Sequence, residues 1–154
     1  MTQEELNQLV ELHEAWLINS EDGEQANLVL VDLDGLELYN ANLTRSSFCG
    51  VSFKGCRIDK CVFDDSHLVE CDFTEAFITD TRFDGSVMFN SVFVDSSLLS
   101  CSFYATDLNS SIFEKCNVQS ISMQAASLGN VSFFNVNTEA LLFDDLLEAP
   151  PTDE

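Results

Sequence analysis

From Leu28 to Phe133 every fifth residue is apolar. The series runs Leu28, Leu33, Leu38, Leu43, Phe48, Phe53, Ile58, Phe63, Leu68, Phe73, Ile78, Phe83, Met88, Phe93, Leu98, Phe103, Leu108, Phe113, Val118, Met123, Leu128, Phe133, and nine of these 22 positions are Phe. The chain as a whole is 45% apolar, so in a chosen frame chance would give such a run about once in forty million. Two residues earlier, from Ala26 to Val131, 17 of 22 positions are Ala, Ser, Cys or Thr. Each five residues thus present one large and one small inward position, and the other three are mixed and polar. Neither a 3.6-residue helix nor a two-residue strand produces that spacing.

The chain resembles the pentapeptide-repeat family, whose motif is A(D/N)Lxx. Ala26-Asn27-Leu28, Ala41-Asn42-Leu43, Cys71-Asp72-Phe73 and Thr106-Asp107-Leu108 are close copies, and the resemblance covers about residues 26–135. It implies an all-β solenoid, a right-handed quadrilateral β-helix with four pentapeptides in each coil of 20 residues. Residues 20 apart then stack. One side carries Leu33, Phe53, Phe73, Phe93, Phe113 and Phe133, another Leu43, Phe63, Phe83, Phe103, Met123 and Phe143, and a third the aliphatic column Leu38, Ile58, Ile78, Leu98 and Val118. Residues 26–145 make six coils, a shaft about 29 Å long at strand spacing. The expected organisation is a capping helix and turn over 1–25, the β-helix over 26–137, and a C-terminal cap and acidic tail over 138–154.

A solenoid end exposes core and unpaired backbone, so it needs covering. Thr2 with Glu5 forms a capping box. Leu6, Leu9, Val10, His13, Trp16 and Leu17 then share one side of an amphipathic helix over 2–18, expected to lie on the first coil. The segment His13 to Leu17 followed by Gly23 resembles leaders of bacterial and phage members of the family. At the other end the frame fails at Thr138 and returns at Phe143. Residues 138–147 read as a final coil or a short helix, with Leu141, Leu142, Leu146 and Leu147 available to cap or to dimerise; a cap is preferred, and monomer or dimer stays open.

Charge excludes one class of partner. Asp and Glu number 27 against 6 Lys and Arg, a formal net charge of −21, which argues against direct nucleic-acid binding. No apolar run has the length of a membrane span, and the N-terminus is acidic, so a cytoplasmic protein of a bacterial host is expected. Cys56, Cys61, Cys71, Cys101 and Cys116 occupy the small inward slot and read as small buried hydrophobes. Cys49 is expected outward and free. His67 faces outward without a partner histidine. Asp64-Asp65 and Asp144-Asp145 are paired carboxylates, yet acid–base work needs a concave site that splits their pKa values. No catalytic residue, cofactor or metal is expected.

Two outward-facing sets are candidates for binding a protein. The first is acidic: Asp59, Asp64, Asp65, Glu70, Asp72, Glu75, Asp80, Asp84 and Asp95. Residues 26–145 hold 17 acidic and 6 basic side chains, whereas duplex DNA of the same length carries about 17 charges. Asp64 should stack on Asp84 as a repulsive pair. The second set is apolar: Val69, Val87, Phe89, Val92, Val94 and Ile112, with Val69 sharing a column with Phe89 and Val92 with Ile112. The acids suggest a decoy of duplex DNA that inhibits a basic DNA-binding machine. The resemblance implies gyrase or another type II topoisomerase as one target, and a short, acidic chain with a phage-like leader also suits an inhibitor of a host-defence system of the CRISPR or restriction type. The repeat frame lacks the loops of plasmid-borne fluoroquinolone-resistance members, which ranks the defence inhibitor first. The alternative is an interaction scaffold that binds through the apolar band, with charge serving solubility.

Overall fold

A computed structural model describes residues 1–143 as one helix followed by a four-sided parallel β-solenoid of about six coils. Helix α1 spans Gln3–Ile18. The strands are β1 (Asn27–Val29), β2 (Glu37–Tyr39), β3 (Ser47–Cys49), β4 (Arg57–Asp59), β5 (His67–Val69), β6 (Phe77–Thr79), β7 (Val92–Val94), β8 (Ser97–Leu99), β9 (Ile112–Glu114), β10 (Asn117–Gln119), β11 (Ile121–Ser122), β12 (Ser132–Phe134) and β13 (Leu141–Leu142). Every ladder is parallel and offset by 20 residues. Leu28 registers with Phe48 and Leu68, and Leu38 with Ile58, Ile78, Leu98 and Val118.

The inward positions fill the shaft. Phe53, Phe73, Phe93 and Phe113 stack nearly parallel with ring centroids 4.7, 4.8 and 4.6 Å apart, which measures the rise per coil. Phe63, Phe83 and Phe103 form a second stack at 5.2 and 5.0 Å. The two stacks meet edge to face, as at Phe93–Phe103, 6.1 Å and 89°, so each ring edge meets a neighbouring ring face.

The small slot does more than save space. Its hydroxyls donate to the carbonyl 23 residues back: Ser66 to Leu43 at 2.8 Å, Ser91 to Leu68 at 2.7 Å, Thr106 to Phe83 at 2.7 Å and Ser111 to Met88 at 2.8 Å. Cys56, Cys71, Cys101 and Cys116 donate their thiols in the same direction. No buried side-chain N or O among the described residues lacks a partner, as a dry interior requires.

The square section has its own cause. Every fifth residue from 30 to 135 has a left-handed backbone, with φ from 47° to 71°. Only four of those corners are glycine, so closure of the coil imposes a conformation that most of the other side chains disfavour. The sides are not uniform. On the first, β1, β3 and β5 pair and then give way to single bridges at Val87 and Asp107. On the second, bridges at Asp32, Ser52 and Asp72 give way to β7, β9 and β12. The exchange falls between the third and fourth coils.

Helix α1 closes the first coil with side chains. Thr2 and Glu5 form the capping box. Buried His13 accepts the Ala26 N–H at Nδ1, 2.9 Å away, and its Nε2, which therefore carries the hydrogen, donates to the Thr44 carbonyl at 3.0 Å. Gln3 exchanges two 2.8 Å bonds with the Glu37 backbone, and Glu14 accepts the Asn42 N–H at 2.9 Å. At the far end Thr138–Ala140 is a 3-10 turn, and β13 returns to pair with β11. The described part of the 138–147 segment is thus a short turn leading into a last coil; Leu146 and Leu147 lie outside the described residues.

Candidate functional site

The nine acids divide by position in the repeat. Four stand on the flat sides and are engaged. Asp59 accepts the Thr79 hydroxyl at 2.6 Å and lies 3.7 Å from Lys60 Nζ. Asp72 lies 3.0 Å from Lys54 Nζ and accepts the Thr74 N–H at 2.9 Å. Partial burial pushes the Asp72 carboxyl up, but the Thr74 hydrogen bonds and the Lys54 ammonium outweigh it and hold the group below its ordinary value. The expected repulsion of Asp64 against Asp84 is not what the structure contains. Arg82 is paired with Asp64 and places Nε 3.9 Å from Asp84 Oδ2. Asp64 Oδ1 also accepts the Asp84 N–H, and Asp84 Oδ1 accepts the Tyr104 N–H, both at 3.2 Å. These carboxylates tie successive coils together, and a cation sits beside them.

The other five, Asp65, Glu70, Glu75, Asp80 and Asp95, all sit at left-handed corners, exposed, with no side-chain hydrogen bond or ion pair among the described residues. Corners 20 residues apart share one of the four edges. Glu70 is on the first edge, Glu75 and Asp95 on the second, Asp80 on the third and Asp65 on the fourth. They form a belt around the middle of the shaft rather than a row along it.

The apolar set lies on two adjoining sides, Val69, Val87 and Phe89 on the first and Val92, Val94 and Ile112 on the second. Val92 pairs directly with Ile112. Val69 and Phe89 occupy one column, as the Glu70 N–H to Phe89 carbonyl bond of 2.9 Å shows. Phe89 is 42% and Ile112 40% exposed, while Val69, Val87, Val92 and Val94 are half-buried. The band also extends where the sequence reading stopped. Val29 registers with Cys49 and Cys49 with Val69. Val29 and Leu30 are 61% and 82% exposed. Leu30 Cδ2 lies 2.7 Å from the place a Cβ on Gly50 would take, so the glycine makes room for an apolar edge. Following the column upward from Phe89 in steps of 20 would have found Val29 and Cys49.

The five inward cysteines are buried and Cys49 is exposed. Burial pushes the Cys71 and Cys101 thiols up to about 12 and those of Cys56, Cys61 and Cys116 to about 11, so they are poor nucleophiles. Three shallow grooves of about 360, 230 and 390 Å³ flank α1, and none of the acids or apolar residues above lines them. Among the described residues no group of three or more His, Cys, Asp or Glu is placed to hold a metal ion, and no helix is long and apolar enough to cross a membrane.

The family model for pentapeptide repeats matches residues 26–65 and 52–88, in eight copies. The chain is a pentapeptide-repeat protein. Its fold is similar to that of HetL, a pentapeptide-repeat protein involved in heterocyst differentiation regulation in the cyanobacterium Nostoc sp. strain PCC 7120. The match has a TM-score of 0.70 at 19% identity, over 77% of this chain and 50% of that one, so this pentapeptide-repeat protein spans half the length of HetL. Rfr23 from the cyanobacterium Cyanothece 51142 is similar with a TM-score of 0.54 at 12% identity, over 86% of this chain and 94% of that one. Both likenesses concern the fold alone. Full-length QnrB1, a plasmid-mediated fluoroquinolone resistance protein, superposes with a TM-score of only 0.29 at 14% identity, over 77% of this chain and 82% of that one, too loosely to bear on function. No curated protein matches the sequence.

Proposed function

We propose that this protein is a non-catalytic binding rod that holds a protein partner against the apolar band, with the corner acids as a charged rim. The observation that carries this reading is the contrast between the two candidate sets. The apolar residues succeed one another from Val29 to Phe89 along the first side, with Val92 and Ile112 on the second, whereas the unengaged acids encircle the shaft, one or two to an edge. Exposed apolar clusters mark interaction surfaces. The rim disfavours acidic partners and speeds encounter with basic ones.

A DNA-decoy reading rests on a different observation, the formal net charge of −21, and would direct the rod to a topoisomerase or a host-defence complex. One experiment separates the two. A photo-crosslinking residue replaces Phe89 in one variant and Asp80 in another, and the proteins are irradiated in native lysate. Capture from position 89, lost in Val69→Ser/Val92→Ser and retained in 0.5 M salt, supports the apolar interface. Capture from position 80 only, abolished by Asp65→Lys/Asp80→Lys and by added duplex DNA, would establish the decoy instead.

A further inference from the structure

We infer that the partner element seated on the apolar band is a basic amphipathic α-helix running lengthwise along the shaft; this rests on the interaction-surface reading above.

The backbone rules out the commonest alternative. On the sides of the solenoid the peptide N–H and C=O groups already point along the axis into the coils above and below. An incoming strand therefore finds no open edge beside the band, and strand addition needs one. A partner can be read there only through side chains.

The spacing of those side chains then selects the partner. Val29, Cys49, Val69 and Phe89 succeed one another once per coil, at the 4.6–4.8 Å rise of the adjoining Phe stack. The band continues round the first edge through Val92 and Ile112. An α-helix advances about 5.4 Å per turn. A helix laid along the band therefore offers one apolar residue per coil, at i, i+4, i+7 and i+11. The mismatch accumulates to only about 2 Å over three coils. A span of four to five coils takes about 12–15 residues.

Charge fixes the flanks of that helix. Asp65 stands at the fourth edge, before the side that carries Val69, and Asp95 stands at the second edge beyond Val94. Both are exposed, and neither is in an ion pair among the described residues. Lys or Arg on the two sides of the helix's apolar stripe meets these carboxylates, while an acidic helix is repelled.

The test uses the full chain with valine, leucine and isoleucine methyls labelled for NMR. The probe is a synthetic 15-residue helical peptide with leucine at positions 1, 5, 8 and 12 and lysine flanking them. The control has the same composition with its leucines spread around the helix. The striped peptide is expected to bind at least tenfold tighter than the control in 0.15 M salt and to shift the methyls of Val29, Val69, Val92 and Ile112. Phe89→Ser/Ile112→Ser, confirmed folded by its β-type circular dichroism, should lose that tenfold advantage. Equal binding of the two peptides, or binding indifferent to Phe89→Ser/Ile112→Ser, overturns the helix. Should that happen while the crosslinker at position 89 still captures a protein, the interaction surface stands and only the helical occupant is wrong. If neither occurs, both readings fall.

Discussion

Ser91 shows how much one small side chain does in this fold. Its hydroxyl donates to the Leu68 carbonyl at 2.7 Å and accepts the Cys71 N–H at 3.1 Å. Ser91→Ala should therefore cost about 1–3 kcal/mol, because buried groups lose a partner. Ser91→Cys keeps a donor of the kind that Cys71 and Cys101 already use on the Phe48 and Ile78 carbonyls; it should cost less than half as much in urea unfolding. The corner residues make the opposite prediction. Ala105 sits at φ 54°, and Ala105→Gly should raise stability by about 0.5–1 kcal/mol, since the strain removed exceeds the added chain entropy. An unchanged or lower midpoint would count against corner strain. At this scale the inward residues were legible from period alone, because the large slot is apolar at every repeat and the small slot is Ala, Ser, Cys or Thr at 17 of 22. The corners were half legible: 11 of the 22 are Gly, Asn or Asp. The remainder, Lys60, Glu75 and Leu30 among them, carry no such mark, since closure of the coil overrides their local preference. Asp64 and Asp84 were misjudged for a related reason. Their column was right, but the hydrogen bonds and the Arg82 pairing that use them appear only once the coils are stacked.

Among the elements, α1 has a chemical condition for staying in place. His13 must be neutral, because its Nδ1 receives the Ala26 N–H. Burial lowers the His13 pKa from 6.5, partly opposed by the hydrogen bond to the Thr44 carbonyl and by Glu14, with Arg45 adding to the lowering. The unfolded chain then takes up the proton more readily than the folded one. The stability this contact supplies is present above pH 6.5 and is lost as pH falls below it. Hydrogen exchange at the Ala26 amide should accelerate beyond the intrinsic trend as pH falls below 6.5, while amides of the fourth coil hold steady. His13→Gln should flatten the profile; a wild-type profile already flat would remove the titration. Gly23 supports the same junction, since a Cβ there would stand 2.1 Å from the Leu12 carbonyl oxygen and 2.4 Å from the Trp16 nitrogen. The helix was legible from its capping box and apolar face. Its use of Gln3, His13 and Glu14 to terminate the β-ladder was not, because those bonds join residues 28 to 34 positions apart.

For the molecule as a whole, the coils touch only their neighbours, so order is lost from the ends inward rather than at once. The cysteines make this measurable. Cys56 and Cys61 lie in the second coil, Cys71 in the third, Cys101 in the fourth and Cys116 in the fifth. Cys49 should react with a thiol reagent at once. In mild denaturant Cys116 should follow before Cys71, since α1 covers only the other end. A single rate shared by all five buried thiols would show that the shaft opens cooperatively instead. The direction of the ladder bonds has a mechanical corollary. They run along the axis that joins α1 to Phe143, so tension applied between the two ends strains them in line rather than in shear. A stretched molecule should then unwind one coil at a time, each step freeing 20 residues and lengthening the tether by about 60–70 Å, as a spring that yields turn by turn.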